Sequence, residues 1–219
     1  MLLFEKYASE LLTLHAILAF LTVALSTHLA VWLGRNYCRG RFAKRRAIVR
    51  FSVLSLVAYA LTMVLGLALY PTYRVRVRAE FLENPSRIHR STEVEMLARA
   101  RALEQDRQAR RYRSAGSKAP DLGAQVPKLS PDELRAAAEA KVQHAAKLVR
   151  WFDVKEHWAL LGLLLSFVVC GILLQWKPDK SSKSIAKPVT ALAFGAAGIA
   201  WAAALIGLAT AAARSVAAL

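Results

Sequence analysis

Four apolar stretches, at about 11–34, 51–70, 156–176 and 189–212, constrain this chain more than anything else in it. None has an Asp, Glu, Lys or Arg in its interior. A helix rises about 1.5 Å per residue, so roughly 20 residues cross a hydrocarbon core of about 30 Å. Each stretch has that length. The chain is 56% hydrophobic yet 21% charged, and a sequence of that kind must segregate the two classes into membrane and aqueous parts. The fold expected is all-α: an integral membrane bundle of four helices in two hairpins, with a helical extramembrane insertion between spans 2 and 3. Its parts are a first hairpin over 1–70, an insertion over 71–155 and a second hairpin over 156–219.

The first stretch is read as a retained span. Its apolar run is too long for a signal-peptide core, and Glu5 and Glu10 stand beside Lys6 in the leader. The net charge of +16 concentrates where spans are joined. Residues 35–50 hold seven Lys or Arg and no acid, and 177–187 hold four Lys against Asp179. Short basic loops face the cytoplasm under the positive-inside rule, and anionic headgroups satisfy them without nucleic acid. Both termini and residues 71–155 then lie on the other side of a membrane of the bacterial inner type. Basic residues also flank the insertion (Arg74, Arg76, Arg78; Lys147, Arg150, Lys155), which weakens the contrast between the two sides.

Two helices are expected in the insertion. Thr92 stands three residues ahead of Glu95, a capping-box spacing, and good helix formers follow to Arg113. Ser130, Pro131 and Glu133 make a second start signal, with serine at the cap and proline at the first helical position. Between them, 114–129 reads as a linker rich in Gly, Pro and Ser. Asp153 and Glu156 repeat the start pattern, so the second helix is expected to stop near Trp151, bend and restart as the third span.

The halves carry a faint echo of each other. His15 precedes Gly66 by 51 residues and His157 precedes Gly207 by 50, each pair enclosing one basic loop. Two hairpins in the same orientation would have a pseudo-twofold axis along the membrane normal. The fourth stretch is dominated by Ala and Gly, and Gly198–Ala202 and Ala203–Gly207 are small-xxx-small pairs of the kind that let helices approach closely.

Intramembrane histidines are rare and mark function by default. His15 and His28 are 13 residues apart, about 140° from sharing a face at 100° per residue, so they serve different roles. His15 shares its face with Thr22 and Ser26, a polar stripe that should point into the bundle. His157 opens the third span as His15 opens the first. Two neutral imidazoles on facing helices can hold a haem b iron, and Arg74, Arg76 and Arg78 leave the second span at the same surface, where propionates would need cations. The site expected is therefore His15 and His157 as axial ligands, with the three arginines on the propionates. His28 would serve a second cofactor or only hydrogen-bond a neighbour, and a quinone is the other ligand considered. Each residue has a plainer reading too. His157 beside Trp158 suits an interfacial position, and arginines after a span can contact lipid phosphates. His89 and His144 are read as solvated.

Cys38 and Cys170 suggest neither a disulfide framework nor a zinc site, and no C-x-x-C-H, H-E-x-x-H, P-loop, G-x-S-x-G or glycine-rich nucleotide fingerprint occurs. The layout resembles small four-helix b-type cytochromes and cytochrome-like anchor subunits in architecture only. It implies a haem-carrying subunit passing electrons between an outer partner and quinone or another subunit. The alternative is a cofactor-free accessory or scaffold subunit, meeting its partners through 189–212 and 71–155. A transporter ranks last, because the spans lack interior charges.

Overall fold

The computed structural model describes residues 5–37, 39, 44–115, 130–176 and 183–213. They form a short 3₁₀ turn (Glu5–Tyr7) and helices α1 (Ala8–Asn36), α2 (Arg45–Thr72), α3 (Pro85–Ala115), α4 (Pro131–Gln175) and α5 (Lys183–Ala213). A π-helical segment, Tyr73–Leu82, continues α2. The cause is local. Pro71 has no N–H to give to the preceding turn, and widening the helix lets later donors find other carbonyls. Four helices are long and apolar enough to cross a membrane: Ala8–Asn36, Arg45–Leu82, Pro131–Gln175 and Ser184–Ala212. The chain is a multi-pass integral membrane protein with an all-α bundle.

Two compact units divide the chain, one made of Met1–Val77 with Leu148–Leu219 and the other of Arg78–Lys147. In the membrane unit all four spans contribute to one apolar core: Leu29 and Leu33 from α1, Ile48 from α2, Val169 and Leu173 from α4, Val189 and Ala193 from α5. A second cluster joins Val23, Tyr59 and Ala200, with Leu163 packed on it. Arg45, at the start of α2, closes the end of α4. Its guanidinium donates to the carbonyls of Leu173, Leu174 and Trp176 at 3.3, 3.1 and 3.0 Å, placing a cation on the negative end of that helix.

Close approach in this unit centres on a glycine inside α4. A Cβ on Gly162 would collide with the Tyr59 hydroxyl and would lie 2.7 Å from its ring carbon and 2.8 Å from a methyl of Ile199. Only glycine lets α2 and α5 come so near α4 there. The small-residue face of α5 differs from the one expected. Its buried line is Ala186, Val189, Ala193, Ala196, Ala197 and Ala200, whereas Gly198 is exposed with open space around it. Helical phase explains the difference, since Gly198 stands 200° around the helix from Ala196 and Ala200.

In the unit of Arg78–Lys147, α3 begins earlier than expected. Asn84 is its cap: its carbonyl accepts from Arg87 N and Ile88 N at 3.1 and 3.2 Å, its side-chain oxygen takes Ser86 Oγ at 2.7 Å, and Pro85 fills the first helical position. Thr92 is thus an interior residue. Buried, it turns its hydroxyl back onto the Ile88 carbonyl at 2.7 Å instead of capping anything. The start of α4 follows expectation, with Ser130 N donating to Glu133 Oε2 at 3.4 Å. Its course does not. Instead of stopping near Trp151, α4 runs unbroken to Gln175, for no proline or glycine occurs between Pro131 and Gly162 to end it. Glu95 of α3 holds Lys141 of α4 and Arg99 of its own helix. The Lys141 hydrogen bond, ahead of the two cations' charge, keeps the Glu95 carboxyl below the ordinary glutamate range. Of the linker expected at 114–129, Ser114 and Ala115 belong to α3 and 116–129 lie outside the described residues.

Candidate functional site

Helical phase sends the polar stripe of α1 inward, as the sequence suggests. Thr22 and Ser26 are buried, and Thr22 Oγ1 meets Thr62 Oγ1 of α2 at 2.9 Å. About two helical turns from Thr22 towards the start of α1, His15 lies against α2. A Cβ on Gly66 would stand 3.3 Å from its Cε1 and 3.9 Å from its Nδ1, so glycine there makes room for the ring. The imidazole also meets the backbone of Thr62, and its Nδ1 is buried without a hydrogen-bond partner.

The α4 residue that acts on His15 is Lys155, whose charge reaches the imidazole. Lys155 packs on α5: a Cβ on Gly207 would be 3.1 Å from Nζ and 3.9 Å from Cε. Its ammonium stands 5.0 Å from the centre of the Phe152 ring, which stacks on Tyr73 at 3.8 Å. Among the described residues Lys155 makes no ion pair within 4 Å, although Glu156 follows it in sequence. At this end of the membrane unit His15 of α1 thus packs on α2 and Lys155 of α4 packs on α5.

His157 is turned elsewhere. Two residues on from Lys155, it is rotated by 200° around α4, is exposed, and has its Nδ1 2.8 Å from the carbonyl oxygen of Asp153. His28 is separate from His15, about 20 Å along α1 by helical rise, and exposed. It packs edge-on to Trp32 and against Phe51, with ring centres 5.4 and 4.9 Å away. Of the three arginines, Arg74 is exposed, Arg76 is half-buried and engaged, and Arg78 is held by Glu83 at 2.8 Å.

Deeper in the unit, Ser26, Ser52, Ser55 and Ser166 line a cavity of about 10 Å³, room for about one water. Ser26, Ser52 and Ser166 each donate to a carbonyl of their own helix, at 2.7, 2.8 and 2.9 Å. Among the described residues, no three His, Cys, Asp or Glu side chains converge as metal ligands would.

The sequence reading missed Lys155 by treating it as one basic flank among several. Its spacing was the available signal. Lys155 precedes Gly207 by 52 residues and His15 precedes Gly66 by 51, and in both cases the side chain packs on the glycine of its hairpin partner. The echo between the halves thus runs through Lys155, and His157 only adjoins it. No protein family, curated protein or solved structure matches the chain.

Proposed function

We propose that this chain is a cofactor-free accessory or scaffold subunit of a membrane assembly, with its basic loops on the cytoplasmic side of a bacterial-type inner membrane. In this reading the four spans anchor the protein, and the charged helices of Arg78–Lys147 offer the surface a partner recognises. The observation that carries the choice is the orientation of α4. Lys155 acts on His15 whereas His157, rotated by 200°, is exposed. A bis-imidazole iron site built from His15 and His157 would require α4 to turn by about 160°.

Colour separates the two functions. The purified protein, expressed with haem supplied, should show no Soret band and no change on dithionite reduction. A Soret band that persists through purification and disappears in His15→Ala would instead establish an electron-transfer subunit.

A further inference from the structure

We propose that Lys155 and His15 form a binding site for a phosphate group, supplied by an anionic lipid headgroup at the membrane boundary opposite the basic loops. The inference is independent of whether the chain acts as a scaffold.

Depth is the first argument. Counting from the basic-loop ends, Arg35 to His15, Arg46 to Gly66, Gln175 to Lys155 and Lys187 to Gly207 are each 20 residues. At 1.5 Å per residue each interval is about 30 Å, one hydrocarbon thickness. The imidazole, the ammonium and the two glycines that receive them therefore lie at one level, where lipid phosphates begin.

Orientation is the second. A lysine at a membrane boundary ordinarily extends its ammonium out to water. Lys155 instead lays its ammonium over Gly207 and beside the Phe152 ring. A cation held inside a bundle without a direct ion pair is costly unless an anion accompanies it. Glu156 acts on Lys155 only through its charge, and the described residues supply it no ion pair within 4 Å.

Donor chemistry is the third. His15 Nδ1 is buried and unpartnered next to the same charge. A protonated Nδ1 would donate one hydrogen bond, and the ammonium offers up to three. A phosphate oxygen accepts from both, and the stacked rings of Phe152 and Tyr73 provide an apolar wall for the first carbons of an acyl chain.

The full chain in neutral detergent should retain phosphatidylglycerol by native mass spectrometry. Because the basic loops also attract anionic lipid, the readout is the fraction that depends on Lys155. Lys155→Gln should lower retention about tenfold, His15→Gln less, and Lys155→Arg little. If millimolar inorganic phosphate binds with the same dependence on Lys155 and phosphatidylglycerol does not, the phosphate site stands but its source is soluble. Equal retention of both probes by wild type and Lys155→Gln would overturn it. Should Lys155→Gln fail to fold, acylation of Lys155 in the wild-type chain decides, read by peptide mapping. It should slow about fivefold in bicelles containing phosphatidylglycerol relative to phosphatidylcholine alone, and an equal rate in both would overturn the site.

Discussion

The membrane unit and the unit of Arg78–Lys147 are both helical, but different forces hold them. In the membrane unit, polar side chains mostly turn back on their own helices: Ser26, Ser52 and Ser166 each bond a carbonyl one turn away. Apart from the Thr22–Thr62 pair and Arg45 on the end of α4, what joins the spans is mainly close packing, centred on Gly162 against Tyr59 and Ile199 and on the alanine face of α5. Lipid tails are as apolar as leucine, so small residues and shape must supply what hydrophobic burial supplies in water. In the other unit caps and charges take over. Asn84 opens α3, Ser130 opens α4, and Glu95 links the two helices through Lys141. One unit is specified by volume, the other by polar chemistry at helix ends and surfaces.

The sharpest way to break this contrast is Gly162→Ala. Its new methyl has no space beside the Tyr59 ring, so we expect a loss of about 2–3 kcal/mol, read by thermal unfolding in detergent. Combining it with Tyr59→Ala should show coupling, because the second change removes the clashing ring. An alanine that costs nothing at Gly162 would mean packing does not limit this unit.

Asn84→Ala probes the other unit and should cost about 1 kcal/mol, the usual worth of a lost cap. Thr92→Val, which removes only a hydroxyl bonded back to the Ile88 carbonyl, should cost less. If Thr92→Val proved the more damaging, α3 would have to begin where the capping-box pattern suggests.

Gly198→Ala returns to the membrane unit with the opposite sign. Nothing lies within 4 Å of the added carbon, so the gain in helix propensity should stabilise by up to about 1 kcal/mol. A loss would show that this face of α5 is packed in the protein and not open.

The smallest effect concerns Glu95. Its carboxyl is held below the ordinary range, so its contribution is complete above the unfolded value of about 4.3 and is lost as pH falls through the lower folded value. The group is exposed, and Glu95→Gln should change stability by only a few tenths of a kcal/mol, less at high salt. A pH titration of unfolding below 5 in both proteins checks the sign.

The four spans, the cap of α4 at Ser130 and the inward stripe of Thr22 and Ser26 were legible in the sequence. They depend on hydropathy, local turn chemistry and helical period, which a linear reading can count. The run of α4 past Trp151 was misjudged from the Asp153 and Glu156 pattern, although nothing between Pro131 and Gly162 breaks a helix. Asn84 with Pro85 was an available signal that the Thr92–Glu95 spacing obscured.

What tertiary structure alone decided is which residue of α4 turns inward. Lys155 and His157 are two positions apart and both open an apolar run, so composition and spacing recommend either. A rotation of 200° separates them, and that angle is fixed by the packing of Gly162 against Tyr59 and of Val169 and Leu173 in the shared core. The rotation of a helix about its own axis is a property of its neighbours. The sequence determined that an imidazole stands at the boundary of the first span; the bundle determined that its companion is an ammonium.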